Sequence, residues 1–543
     1  MLKTNSESAP DGASVSFLSG DEAVALAAYS AGVALGAGYP GTPSTEILET
    51  LNALGGKAQW APNEKVALEV GIGVAFAGAR ALVTMKHVGL NVAADPLFTV
   101  AYTGVEGALV VVSADDPGMA SSQNEQDNRH YAVAAGVPML EPADSQEAYD
   151  FTLLAIAISE RWRTPVLLRL TTRVCHSKTR VQPGRTPVPA RRSPRFTPDV
   201  ARHVMIPAYA RPAHLRLREK LAQMADWNEA EGPSQILTRS SELGIITSGI
   251  SYQHVLEAAP EASVLKLGMT YPLPLAQMRR FAAGVQRCLV IEEGDPYLAE
   301  AARAAGVAVE AKPEPFRHGE LNVNRVRRIL AHDLSPEPKP APGKPPALCP
   351  GCPHRAVFGV LQKLDCVVSG DIGCYSLGVL PPYQAMHTIV CMGASIGVGL
   401  GMRHALPPEQ AQRVVSVIGD STFVHSGITG LVEMVYNPPP SGHVLLLLDN
   451  GTTAMTGLQE HPGTGRRLDH NRTGKVVFED LARVLGVKNV HVVDPAADVQ
   501  GFEDLVREAL HKPELSVIVA RRNCLLAARS IREYEKCGEP PVR

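Results

Sequence analysis

The stretch from Val414 to Asn450 constrains this chain more than any other. Val414–Ile418 is a run of β-type residues that ends at Gly419-Asp420-Ser421. A helical pattern follows, with Ile428, Leu431, Val432 and Val435 at i, i+3, i+4 and i+7, and Pro438–Pro440 stops it. Val444–Leu448 is a second apolar run and ends at Asp449-Asn450, with twenty-seven residues between Ser421 and Asp449. Strand, helix and strand in this order predict a parallel crossover, which brings both strand ends to one edge of a sheet. Open α/β sheets bind ligands at that edge. Asp420 and Asn450 are hard oxygen donors, and with a backbone carbonyl they leave a Mg²⁺ short of its octahedron. Phosphate oxygens and water can complete it. The competing reading is an ordinary buried strand end with two polar caps.

The spacing is similar to the thiamine diphosphate signature, Gly-Asp-Gly followed about two dozen residues later by Asn-Asn. Ser421 stands where the signature has its second Gly, and Asp449 stands for its first Asn. The resemblance implies Asp420, Asn450 and the Thr452 carbonyl as Mg²⁺ ligands. It implies Gly419, Ser421, Gly457 and Gln459 as further cofactor-binding positions.

The chain has 543 residues, enough for about three or four domains. Hydrophobic content of 45% and charged content of 20% describe an ordinary globular protein. The formal net charge of −3 gives no argument for nucleic acid or an anionic membrane as partner. No uncharged apolar stretch is long enough to span a bilayer: Val66–Val83 comes nearest and carries Glu69 and Arg80. Met1–Ser14 is polar rather than a signal peptide. Nine cysteines without a secretion signal point to a reducing compartment, so the expected location is the cytoplasm and the cysteines are thiols or metal ligands.

Alternating helix and strand patterns predict an α/β protein with three parallel-sheet domains. Residues 16–175 form the first, with a helix over Asp21–Leu35 stopped by Gly36 and Gly38, and strands at Ala81–Met85, Leu109–Ser113 and Val166–Leu170. Residues 176–242 are rich in Arg and Pro and read as an extended connector with one short helix near Leu215–Trp227. Residues 243–335 resume the α/β pattern, with strands at Gly244–Thr247, Val264–Leu267 and Cys288–Ile291. Residues 336–346 are a Pro-rich linker of polyproline II type. Residues 347–527 form the third α/β unit, and 528–543 a charged tail.

In the first domain, Asn63-Glu64 opens a small-residue helix through Gly71, Gly73 and Ala77-Gly78. Thiamine diphosphate needs a carboxylate beside N1′ of its aminopyrimidine, and Glu64 lies nine residues before Gly73, the spacing found in that superfamily. Glu69 on the same helix is the rival, and a plain helix-dipole carboxylate is the other reading. Tyr39-Pro-Gly-Thr42-Pro-Ser44 precedes a helix near Thr45 and suits a carboxylate or a simple N-cap. Lys86-His87-Val-Gly-Leu-Asn91 follows a strand end and combines a cation, a proton-transfer group and a Gly turn. We therefore take Lys86, His87, Thr42 and Asn91 as candidate site residues beside Glu64. Cys349 and Cys352 form a C-x-x-C, Cys374 follows Gly370-Asp-Ile-Gly, and Cys524 follows the last strand pattern. Four thiolates suit a [4Fe–4S] cluster, with zinc as the alternative.

Taken in order, Tyr39–Ser44, Asn63–Ala67, Met85–Asn91, Cys349–His354, Gly370–Cys374, Gly419–Ser421 and Asp449–Gln459 resemble the indolepyruvate branch of the 2-oxoacid:ferredoxin oxidoreductase family. The resemblance spans about residues 16–527. It implies pyrimidine-binding, transketolase C-terminal-like and diphosphate-binding domains of the transketolase-like type. It also implies a separate smaller β subunit, an α₂β₂ assembly, CoA as co-substrate, and a ferredoxin or other redox subunit as acceptor. The implied reaction is 2-oxoacid, CoA and oxidised ferredoxin giving acyl-CoA, CO₂ and reduced ferredoxin, with an aryl pyruvate such as indolepyruvate as substrate. The family's inner cluster maps onto Cys349, Cys352, Cys374 and Cys524. Members of this branch end in a ferredoxin-like domain with repeated C-x-x-C runs, whereas only Cys537 follows Cys524 here. That departure leaves a non-oxidative 2-oxoacid decarboxylase as a rival, and Ser421 and Asp449 leave a non-catalytic scaffold subunit as another.

Overall fold

Long β-branched and Leu-rich runs set the frame of the molecule. The computed structural model describes residues 7–8, 14–184, 186–188, 193–338, 343 and 345–536. Expectations for most of the first fourteen residues, for parts of the Arg/Pro-rich run and the Pro-rich linker, and for Cys537 lie outside the described residues. The chain divides into two compact units, Met1–Pro338 and Lys339–Arg543.

The first unit contains a seven-stranded sheet. Its order runs Met269–Tyr271, Met139–Leu140, Val166–Thr171, Ala108–Asp115, Arg80–Lys86, Leu35–Gly38, Ala58–Trp60, parallel except for the first pair. Arg80–Lys86 and Ala108–Asp115 are buried at every position, as parallel strands covered on both faces must be. A five-stranded sheet follows in the same unit, ordered Gln235–Leu237, Ser263–Leu267, Leu243–Ser248, Arg287–Ile291, Glu310–Ala311.

Two expectations need correction here. The first helix covers Gly20–Ser30 only, and Gly36 and Gly38 lie inside a strand instead of stopping the helix. A Cβ on Gly36 would sit 2.8 Å from Leu48 and Leu51, and one on Gly38 would sit 2.6 Å from the Thr84 carbonyl. These glycines let a helix and a neighbouring strand close on the backbone, a role that a local pattern does not reveal. The Arg/Pro-rich segment is also more structured than expected. Lys178–Val181 pairs with Ser14–Ser19, and Pro207–Glu231 is a helix of 25 residues. Ala213, Leu217, Leu221, Met224 and Asn228 are its buried positions, a narrow stripe on an otherwise charged helix. Leu217 and Leu221 join the core around the first sheet, and Asn228 Nδ2 donates to the Met269 and Pro272 carbonyls.

The second unit carries a five-stranded, fully parallel sheet ordered Val367–Ser369, Val414–Gly419, His443–Asp449, Leu515–Arg521, Asn489–Val493. Side chains alternate between its two cores. Val415, Val417, Leu446 and Leu448 face one, and Ile418, Leu445 and Leu447 face the other. Each fully buried Leu or Val contributes about 1.5–3 kcal/mol. The two central strands therefore fix the register that aligns Gly419 with Leu448. Leu431 and Met434 form the buried face of the Ile428–Tyr436 helix, while Val432 of the expected stripe is exposed. A π-helical turn, Phe423–Gly427, precedes this helix; within the helix Ile428 and Val435 pack partly on the same face, and Val432 alone of the expected stripe lies off it. Among the described residues no helix is long and apolar enough to cross a membrane.

Candidate active site

Parallel register delivers Asp420 and Asn450 to the same sheet edge in the second unit. Gly419 ends its strand where a Cβ would meet the Tyr375 ring at 2.6 Å, so the strand end requires glycine. Asp420 is buried. Its Oδ1 accepts from Ser421 N at 2.8 Å, and its Oδ2 accepts from Asn450 N at 3.1 Å and Gly451 N at 2.9 Å. His461 Nε2 stands 3.4 Å from Oδ2. Burial works to raise the Asp420 carboxyl, but His461 and these backbone N–H groups hold it below the ordinary carboxylate range. Among the described residues no Lys or Arg makes an ion pair with it.

Asn450 Oδ1 accepts from Thr452 N at 3.1 Å, which turns the chain directly after the strand. Thr453 Oγ1 donates to Ser421 Oγ at 2.9 Å, so the residue that replaces the signature glycine ties the two motif halves together. Thr453 N and Thr452 Oγ1 both reach the Gln459 carbonyl, Thr456 Oγ1 donates to Gln459 Oε1 at 2.6 Å, and Gly457 supplies the positive φ of 126° at the bend. Asp449, the other departure from the signature, faces Arg521 across the strand pair, with Oδ2 accepting from Nε at 2.7 Å. Arg521 also holds Glu479 at 2.7 Å.

Cys349, Cys352, Cys374 and Cys524 line one cavity, and His354 and Asn450 line it too. Cys352 N donates to the Cys349 carbonyl at 3.0 Å in the tight C-x-x-C turn, and Cys524 N donates to the Asn450 carbonyl at 2.9 Å. Burial, then the Cys524, Cys352 and Cys349 sulfurs, push the Cys374 thiol up to about 11. Four sulfurs that crowd one another in this way fit a group that would take all four as thiolates. Asp420, with no Lys or Arg paired to it among the described residues, and Asn450 beside it fit a divalent cation.

The first unit gathers its own set. Asn63 caps the Glu64–Phe76 helix through Oδ1 and Val66 N at 2.9 Å, and Glu64 is buried at its first position. A Cβ on Gly89 would lie 2.6 Å from Glu64 Oε1, so Gly89 makes room for that carboxylate. Glu69 is half exposed and paired with Lys65, a surface i,i+4 pair that argues against the rival. Lys86 Nζ donates to the Ser121 carbonyl at 2.6 Å, and burial pulls its ammonium down to about 8 against the opposing pull of Asp116. His87 is fully buried, with Nε2 3.1 Å from the Asn124 carbonyl. Asn91 exchanges hydrogen bonds with Gln126 and accepts from Tyr131 Oη at 2.8 Å. The Thr42 carbonyl accepts from Ser121 Oγ at 3.5 Å, while Thr45 rather than Ser44 binds the Gly41 amide.

Sequence reasoning did not single out the loop that carries Ser121, Asn124, Gln126 and Asn128, nor Asp371, His354 and His461. The loop's signal was available: a Gly-, Ser- and Asn-rich stretch directly after the Ala108–Asp115 strand. Asp371 accepts from Gly393 N and Ser395 N and so caps the Ala394–Ala405 helix.

Residues 26–223 match the family described as "pyruvate flavodoxin/ferredoxin oxidoreductase, thiamine diP-bdg", and residues 371–520 match "thiamine pyrophosphate enzyme, C-terminal TPP binding domain". The chain is 40% identical to the indolepyruvate oxidoreductase subunit IorA of Archaeoglobus fulgidus over 96% of this chain and 88% of the relative. It is 38% identical to the same subunit of Pyrococcus abyssi over 94% and 85%. A solved 2-oxoglutarate:ferredoxin oxidoreductase from Magnetococcus marinus is 16% identical, with a TM-score of 0.49 over 59% of this chain and 65% of that one. The chain thus belongs to the indolepyruvate oxidoreductase IorA-subunit family of thiamine diphosphate-dependent 2-oxoacid oxidoreductases.

Proposed function

We propose that this chain is the thiamine-binding α subunit of an enzyme that oxidatively decarboxylates an aryl pyruvate, such as indolepyruvate, to its CoA thioester. The overall change is R–CO–COO⁻ plus CoA–SH giving R–CO–S–CoA, CO₂, a proton and two electrons. The buried Asp420 carboxylate, held low by His461 and by backbone N–H donors with no Lys or Arg paired to it among the described residues, is the observation that carries this reading. Asp420, Asn450 and the Thr452 carbonyl would hold Mg²⁺ on the diphosphate, with Gly419, Ser421, Gly457 and Gln459 around it. When bound, thiamine diphosphate supplies the electron sink that lets the bond to the carboxylate break. Glu64 would hold and return the proton at the aminopyrimidine. Lys86, still ammonium at neutral pH, would attract the substrate carboxylate, with His87, Thr42 and Asn91 lining the same pocket.

Cys349, Cys352, Cys374 and Cys524 would hold a [4Fe–4S] cluster that carries electrons one at a time. Its cavity reaches Asn450, so a cluster there would sit beside the diphosphate. A separate smaller β subunit and a ferredoxin or other redox subunit complete the reading, in an α₂β₂-type assembly.

Glu64→Gln tests the mechanism. Calorimetry should show thiamine diphosphate bound as in the parent, while thioester formation falls by about 10²–10⁴-fold. Unchanged turnover removes Glu64 from its role, and an aldehyde product replaces the oxidoreductase by a lyase.

A further inference from the structure

His461 lies eleven residues beyond Asn450, outside the signature, on the loop that returns over Asp420. Its ring is buried. Gly463 N donates to His461 Nδ1 at 3.2 Å, which makes Nδ1 an acceptor and puts the ring proton on Nε2. Nε2 is buried without a hydrogen-bond partner among the described residues, and Asp420 Oδ2, 3.4 Å away, is the carboxylate oxygen that it approaches. The loop enforces this arrangement. Thr464 N and Thr464 Oγ1 both donate to the His461 carbonyl, at 2.8 and 2.9 Å, and close a turn. A Cβ on Gly463 would meet Phe478 Cζ at 2.3 Å, so a larger residue would lift the amide away from Nδ1. Beyond the turn, Glu460 anchors the loop through Arg466 at 2.9 Å and His470 at 3.1 Å.

The donors on Asp420 are unevenly shared. Oδ2 faces Asn450 N, Gly451 N and His461 Nε2, whereas Oδ1 meets Ser421 N alone. We propose that His461 is a positioning residue whose Nε2–H faces Asp420 Oδ2 and pins it, and thereby presents Oδ1 to the divalent cation. This rests on the reading of Asp420 as a cation ligand. A ligating carboxylate that is itself hydrogen-bonded is held in one rotamer, and loss of such a partner weakens metal affinity by about 10–100-fold.

His461→Gln and His461→Met have the same length, but only Gln can donate. With the full chain in complex with its partner subunit, calorimetry at fixed thiamine diphosphate gives the Mg²⁺ concentration for half-maximal binding. His461→Met should raise it by about 10–100-fold and His461→Gln by no more than about 3-fold. Saturating Mg²⁺ should restore binding in both, a recovery that a misfolded loop would not allow. Equal titrations for Met, Gln and the parent overturn the role of His461, and so does an equal loss in Met and Gln. Asp420→Asn separates the two levels: if it also titrates like the parent, the cation reading fails, and not only the contribution of His461.

Discussion

Two sets of buried carboxylates in this chain, one in each unit, are held in opposite ways. In the first, Arg129 holds Asp127 at 2.5 Å and Glu292 at 2.6 Å, and Arg169 holds Asp115 at 2.7 Å and Glu141 at 3.0 Å. Both guanidinium groups and all four carboxylates are buried, and Arg129 also donates to the Glu293 and Asp295 carbonyls. Each charge has its counter-charge within the protein, and the network links the seven-stranded sheet to the segment after Arg287–Ile291. In the second unit Asp420 is as deeply buried but, among the described residues, meets backbone N–H groups and the His461 ring, with no guanidinium or ammonium beside it. The first arrangement pairs each buried charge inside the protein, whereas on the proposed reading the second leaves a field that a bound divalent cation would neutralise.

The largest effect that would break this contrast is on stability. Arg129→Met removes the partner of two buried carboxylates and should cost about 3–5 kcal/mol in chemical denaturation. A cost near zero would mean that the network is not the clasp described.

Glu293 sharpens the contrast by titrating. Its Oε1 accepts from Leu321 N, Oε2 has no hydrogen-bond partner among the described residues, and burial raises its carboxyl from 4.5 to about 7 despite the pull of Arg169. The folded chain therefore keeps a proton there that the unfolded chain sheds between those two values. The resulting stability is full below about pH 4.5 and is lost as pH rises through about 7. Glu293→Gln should flatten that slope in denaturation curves taken at several pH values. An unchanged slope would assign the pH dependence to other groups.

The smallest effect is expected at Asp449. Among the described residues it makes one ion pair, with the partly exposed Arg521, which keeps Glu479 when Asp449 is gone. Asp449→Asn restores the usual signature residue and should change stability by less than about 1 kcal/mol, with thiamine diphosphate binding retained. Loss of binding would make Asp449 itself a ligand.

Much of this was legible along the chain because it is local. Buried parallel strands read as continuous apolar runs, and the interval between Asp420 and Asn450 is one crossover, so spacing alone brings them to one edge. The C-x-x-C turn is local as well, whereas Cys374 and Cys524 reach the same cavity because each follows a strand end of one parallel sheet. The Arg129 network was not legible, since Arg129 and Glu292 are 163 residues apart and neither carries a pattern. Gly36 and Gly38 were misread because a glycine needed for tertiary packing looks the same as one that stops a helix. His461 escaped notice because its role depends on a backbone amide two residues on, which no residue type announces. Glu64 and its rival Glu69 could not be separated by spacing, and only burial distinguishes them.

The central claim is that Asp420 and Asn450 hold one divalent cation on the diphosphate of thiamine diphosphate. Mn²⁺ in place of Mg²⁺ gives the direct reading, through the phosphorus hyperfine coupling seen by electron–nuclear double resonance on the full chain with its partner subunit. A strong ³¹P coupling in the parent that disappears in Asp420→Asn is the predicted result. A coupling that survives in Asp420→Asn, or none in the parent with cofactor bound, would contradict the account.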